Sequence, residues 1–177
     1  MKTMLLKVAA ISIVLFANSI TFAQPTVQVY ATGFVNPIGL EIDGAGNLWV
    51  GEQGTGSGST AKVSMVTTDG QVYTFMTDLP SSAPAFEPIG VTDVDFDSDG
   101  KLLVVTGQNT SGDTLGSSIL KVDTTGFLQN YTVRNRSDIQ SIINLKNIQN
   151  GNPYKVTAGF ENDLFIVDAY YNNIIRW

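Results

Sequence analysis

The chain of 177 residues contains no cysteine and no histidine. Without cysteine it forms no disulfide, has no thiol nucleophile and binds no metal through thiolate. Without histidine it lacks the commonest general base and the commonest transition-metal ligand. Any catalysis by this chain would therefore depend on carboxylates or on a metal ion held by oxygen ligands.

Basic residues are also scarce: 10 Lys and Arg stand against 16 Asp and Glu, for a net charge of −6. An acidic chain repels nucleic-acid phosphate and anionic lipid, so we expect no nucleic-acid partner. Charged residues make up only 15% of the chain, while hydrophobic residues make up 43%. That balance is typical of a folded globular protein.

The first 23 residues have the pattern of a cleavable signal peptide. Lys2 and Lys7 flank the start, a short apolar run follows, and the small residues of "TFA" precede Gln24. The apolar run is short for a membrane span. We therefore expect export to the periplasm or the extracellular space without a stable membrane anchor. Loss of residues 1–23 removes two lysines and no acid, so the net charge falls from −6 to −8.

A hairpin pattern recurs three times after that segment. Each copy has two alternating strands around a polar turn, and the copies occupy residues 36–52, 87–107 and 152–169. Second hairpins are expected at 60–76 and at 117–133. Recurrence every 50–65 residues or so, with four antiparallel strands per unit, is the layout of a β-propeller blade. A β-sandwich of unrelated hairpins does not explain the same order of motifs.

The sequence thus predicts an all-β fold, a β-propeller of four-stranded antiparallel blades. The expected blade units are 36–79, 87–133 and an incomplete 152–177 within a partial propeller at 24–177. Residues 26–34 are expected to be a strand of the closing blade. A short helix is expected near 137–147, with Ser137 or Asp138 as its cap and an apolar face that includes Ile142.

Several stretches together resemble the ScyD/ScyE family, including "NPIGLEIDGAGNLWVGEQGTG", "PIGVTDVDFDSDGKLLVV" and "IVDAYYNNIIRW". The wider relatives are NHL-repeat and SMP-30/gluconolactonase-like propellers, which are usually six-bladed. The resemblance implies an exported propeller, and most members of the family have no assigned activity. A six-bladed ring needs about 300 residues. We therefore expect a fragment that lacks C-terminal blades; the alternative is a half-propeller that completes its ring as a homodimer.

Polar residues at the ends of the inner strands are the candidate site. Glu52 and Asp168 follow the second strands of the first and third units, where Thr106 and Gly107 stand in the second. Carboxylates suit Ca²⁺ or Mg²⁺, and such a cluster would resemble the metal site of SMP-30-like lactonases. Asn and Asp at such positions also cap turns through their own backbone, which is the commoner role.

The residues that precede or open each blade are candidates for binding: Asn36, Glu87 and Asn152. We expect a binding or scaffold module that presents loops at the channel mouth, without a cofactor and without catalysis of its own. Its partner would be a small molecule, a protein or a glycan. The alternative is a lactonase-like hydrolase that uses a divalent metal ion.

Overall fold

A computed structural model describes residues 26–84, 86–108 and 112–177. The predicted signal peptide at 1–23 lies outside the described residues. The first blade contains β1 (Pro37–Ile42), β2 (Leu48–Glu52), β3 (Ala61–Val66) and β4 (Val72–Leu79). The second contains β5 (Val91–Phe96), β6 (Leu102–Thr106), β7 (Ser118–Val122) and β8 (Ile139–Asn144). The third contains β9 (Pro153–Ala158), β10 (Leu164–Asp168) and β11 (Asn173–Arg176).

Each blade is a separate antiparallel sheet whose strands pair in chain order. The innermost strands β1, β5 and β9 lie side by side, with β5 in contact with both of the others. This arrangement confirms the predicted all-β class with propeller-like blades. The polar turns that join the strands are closed by aspartate side chains. Asp43 Oδ1 accepts hydrogen bonds from the Ala45 and Asn47 N–H groups, each 2.9 Å away. Asp97 Oδ1 accepts the equivalent pair from Asp99 and Lys101.

The outer strand of the second blade differs from the prediction. It is β8, which pairs with β7, and not the stretch 127–133. Residues Phe127–Asn130 form a short helix, α1, after Gly126, which has a positive φ of 80°. The helix expected near 137–147 is reduced to α2 (Leu145–Gln149), because 139–144 is strand. Neither α1 nor α2, the two α-helices in the described residues, has the length and apolar character to cross a membrane.

Residues 26–34 form no strand in this structure, although the sequence predicted one there. The segment lies over the first blade, where the Tyr30 hydroxyl donates to the Thr67 and Thr68 carbonyls at 3.0 and 2.8 Å. The first sheet consists of β1 to β4 alone, so no strand of the first blade pairs with this segment. An alternating pattern of residues is not sufficient for a strand when no neighbouring strand pairs with it.

Packing between blades builds the core. Between the first and second blades the rings of Trp49 and Phe127 each meet the ring of Phe75 edge to face, with centroids 4.9 Å apart for Trp49 and Phe75 and 5.0 Å for Phe127 and Phe75. Edge-to-face contacts of this kind add to the stabilisation from burial. A second cluster, which includes Val105 and Ile166, joins the second blade to the third.

The inner strands approach one another closely. A Cβ added at Gly39 on β1 would lie 2.7 Å from the Cα of Asp93 on β5. Asp93 in turn accepts a hydrogen bond from the Val156 N–H on β9 at 3.1 Å. Glycine at position 39 therefore permits the close contact between β1 and β5, and the Asp93 carboxylate connects β5 to β9.

Candidate functional site

Strand register defines which residues are equivalent in the three blades. Pro37 pairs with Glu52, Val91 with Thr106 and Pro153 with Asp168. In each blade the register then shifts by one residue, so the next residue of the inner strand is a β-bulge. The bulged residues are Ile38, Thr92 and Tyr154.

All three bulged residues line one cleft with a volume of about 430 Å³. Bulges re-aim a side chain out of the regular alternation of a strand and are frequent beside functional sites. Here the repeat places a bulge at the same point of each inner strand. The three blades therefore present an apolar, a hydroxyl and an aromatic side chain to a shared space of the size of small-ligand sites.

The loop between the first and second blades supplies another wall of the cleft. Its base is tied by reciprocal backbone hydrogen bonds between Ser82 and Ile89, at 2.8 and 2.6 Å. Within the loop Phe86 is fully exposed, and Glu87 is exposed beside it. Both line the cleft, together with Pro84, Pro88 and Ile89. The loop thus holds an aromatic ring and a carboxylate at the rim.

One polar group of the cleft lining is buried and unpaired. The Thr92 side chain is only 5% exposed, and its hydroxyl has no hydrogen-bond partner among the described residues. An unpaired buried hydroxyl costs about 1–3 kcal/mol. Asn152 Oδ1 accepts from the Gln108 N–H at 2.7 Å. Of the described residues that line the cleft, Thr92 is the one whose side chain is almost completely buried.

Of the residues predicted for binding, Glu87 and Asn152 lie in this cleft, whereas Asn36 does not line it. Asn36 has a positive φ of 52°, and its Nδ2 donates to the Gly54 carbonyl at 2.8 Å. This bond joins the entry of β1 to the loop after β2. The structure gives Asn36 a role in the turn.

Glu52 is completely buried in the first blade. Its Oε2 accepts from the Val35 N–H at 2.6 Å, and its Oε1 accepts from the Ser64 hydroxyl at 2.5 Å. Lys62 Nζ lies 3.4 Å from the same Oε1. The carboxylate therefore joins the segment before β1 to β2 and β3.

Asp168 is the equivalent residue of the third blade and is also completely buried. Its Oδ1 accepts from the Asn152 and Tyr170 N–H groups at 3.0 and 2.9 Å, and its Oδ2 accepts from Gln149 Nε2 at 2.7 Å. Burial alone would raise the pKa of Asp168, but these donors together hold its pKa below the ordinary value. The carboxylate is thereby kept ionised as an acceptor for backbone N–H groups.

The structure does not bring Glu52 and Asp168 into one cluster. They belong to the first and third blades, and the polar partners of each come from its own blade or from the segment just before it. No group of three or more acidic residues converges within the described ranges. The Ca²⁺ or Mg²⁺ site remains a prediction from the sequence. The residues present fit it poorly, because their oxygens already accept hydrogen bonds.

Sequence reasoning missed Ile38, Thr92, Tyr154 and Phe86 as site residues. The signal was present in the triplets "PIG" at 37–39, "VTD" at 91–93 and "PYK" at 153–155, which the register shows to be equivalent. The second "PIG", at 88–90, precedes β5 and belongs to the loop. When the "PIG" at 88–90 is aligned with the "PIG" at 37–39, the second repeat is shifted by three residues. Thr92 is then not recognised as the equivalent of Ile38.

Comparison with one solved structure supports the propeller fold. The chain is similar to selenomethionine-substituted virginiamycin B lyase from Staphylococcus aureus, with a TM-score of 0.50 and 17% identity over 80% of this chain. A catalytically inactive H270A form of that lyase with quinupristin has a TM-score of 0.39 and 18% identity, with 79% of this chain and 51% of that chain covered. The chain spans 38% of the first structure's length. No protein-family model and no curated protein matches it.

Proposed function

We propose that this chain is an exported propeller protein, related to the ScyD/ScyE family, that binds a small ligand in the cleft at the three bulges. The observation that carries the proposal is the convergence of Ile38, Thr92 and Tyr154 on one cleft. An additional support is the buried, unpaired hydroxyl of Thr92. We propose binding in preference to catalysis because the lining consists of apolar and aromatic surface with mostly neutral polar groups.

The chemistry of the cleft suits a ligand with an apolar body and one inward polar group. The Pro84, Pro88 and Ile89 side chains offer an apolar wall, and Tyr154 offers a ring that is 46% exposed. The Thr92 hydroxyl can either donate to or accept from the ligand. A bound ligand that reaches this hydroxyl would therefore give a partner to the one unpaired buried polar group recorded among the described lining residues.

Titration with phenylbutanol, a compact apolar body with a single hydroxyl, tests the proposal. In ¹H–¹⁵N spectra of the mature chain we expect the largest shifts at the amides of Ile38, Thr92 and Tyr154. Thr92→Val keeps the shape and removes the hydroxyl, so we expect about three- to tenfold weaker binding. Leu40→Ala, on β1 but outside the cleft, is the control and should leave the affinity unchanged.

The same Thr92→Val variant carries a second expectation. Because the hydroxyl is buried and unpaired in the free protein, its removal should raise the free energy of unfolding by about 1 kcal/mol. A variant that is more stable and binds less tightly fits a polar group kept for a ligand. If shifts spread over the surface, or if Thr92→Val binds phenylbutanol as well as the wild type, the proposed binding cleft is wrong.

A second candidate function is ring completion by a second copy of the chain. The face of the first blade exposes Leu40 and Ile42 by 57% and 59%, and the third blade exposes Ile174 by 71%. Apolar surface of this kind marks an interface. Light scattering after gel filtration should then show a dimer for the wild type and a monomer for Ile174→Asp. A monomeric wild type would remove this candidate.

A further inference from the structure

We infer that the cleft selects an organic cation, a ligand that combines an apolar body with an amine or guanidinium head. This inference rests on the proposed function, because it names the ligand class of the same cleft. It follows from the distribution of charge, of aromatic surface and of burial across the lining residues.

Among the described residues that line the cleft, Glu87 alone has a formal charge. No Lys or Arg of the described residues forms an ion pair with it. Lys155 follows the lining residue Tyr154, but its Nζ lies 3.4 Å from both carboxylate oxygens of Asp93. An anionic head would therefore find no counter-charge in the lining, whereas a cationic head would find Glu87.

Aromatic residues line the same cleft as that carboxylate. Phe86 precedes Glu87 in the loop and is fully exposed, and Tyr154 is 46% exposed on β9. Cations are attracted to the faces of aromatic rings, by an amount that corresponds to about a two- to fivefold gain in affinity at exposed sites. A carboxylate next to exposed rings is a combination that favours an ammonium or guanidinium group.

The gradient of burial sets the orientation of such a ligand. Phe86 and Glu87 are exposed at the rim, whereas Thr92 is the most buried polar group of the lining. Ile38 and Ile89 contribute apolar surface to the same cleft. A cationic head therefore stays at the rim, where it keeps part of its hydration. The apolar body reaches inward, where a polar group at its far end would meet Thr92.

Three probes with one body and different heads test the inference: phenylbutylamine, phenylbutanol and phenylbutanoate. By calorimetry or amide shifts we expect the amine to bind the mature chain about three- to tenfold more tightly than the alcohol, and the carboxylate to bind least. Added salt should weaken the binding of the amine and leave the binding of the alcohol unchanged. Glu87→Gln should reduce the amine's affinity to that of the alcohol, whereas Glu161→Gln, an exposed glutamate outside the cleft, should change neither.

The outcomes separate the inference from the function on which it rests. Equal affinities for the amine and the alcohol, with no effect of Glu87→Gln, would overturn the cation preference and leave the binding cleft standing. If phenylbutanoate bound most tightly of the three probes, the cation preference would likewise be overturned and the binding cleft would still stand. If none of the three probes binds at millimolar concentration, the cleft is no site for such a body, and both the inference and the proposed function fail.

Discussion

The buried carboxylate of Asp168 offers the sharpest test of how the third blade is held together. Asp168→Ala removes the acceptor for the Asn152 and Tyr170 N–H groups and for the Gln149 side chain. A hydrogen bond to a charged group contributes about 1.5–3 kcal/mol, and Tyr170 can regain water because it is exposed. We therefore expect the free energy of unfolding to fall by about 3–5 kcal/mol, a large part of the 5–15 kcal/mol typical of a domain.

Urea unfolding followed by circular dichroism measures this loss, with the exposed Asp99→Ala as a control expected to stay within about 0.5 kcal/mol of wild type. The pKa of Asp168 is lowered in the folded state, so its contribution is present above the unfolded pKa of about 3.9. It is lost as pH falls through the lowered folded pKa. The stability gap between wild type and Asp168→Asn should accordingly narrow in acid. A loss below about 1 kcal/mol for Asp168→Ala would refute this account. A lower Tm of wild type in EDTA would instead favour a metal ligand.

Two further predictions concern contacts between blades. Burial raises the pKa of Asp93, so wild type should lose stability relative to Asp93→Asn as pH rises from about 4 through the raised pKa. The urea midpoints of both proteins, measured across about pH 3.5–6.5, check the direction of this change. A stability difference between the two proteins that stays constant with pH would contradict the prediction. A Cβ at Gly90 would lie 2.2 Å from the Gln53 carbonyl oxygen, so Gly90→Ala should cost about 2–3 kcal/mol. Gly44→Ala, whose Cβ meets nothing within 4 Å, should be close to neutral in the same thermal melts, and equal costs for the two variants would argue against the close contact.

The repeat of hairpins was readable in the sequence because alternation and turn residues are local signals. The outer strand of the second blade was not, because its identity depends on tertiary packing. Phe127 is completely buried against Phe75, and the Tyr131 ring stacks on Tyr73 with centroids 3.7 Å apart, which draws the predicted strand at 127–133 into a helical turn. The Ile142 region fits a helical face as well as a strand, and pairing with β7 decides between them.

Two of the residues that line the cleft were singled out from the sequence, for a related reason. Glu87 and Asn152 are visible as polar residues near blade entries, and both line the cleft. The bulged residues were missed because the triplets that contain them are recognised as equivalent only once the strand register is known. The roles of Glu52 and Asp168 as acceptors of backbone N–H groups also depend on which N–H groups the fold brings to them.

A crystal of the mature chain soaked with phenylbutylamine tests the central claim most directly. We predict electron density for the probe in the cleft, with its body against Ile38 and its amine near Glu87 and the ring of Phe86. Density that instead occupies the exposed apolar face of the first blade around Leu40, with none beside Thr92, would contradict the assignment of this cleft as the binding site.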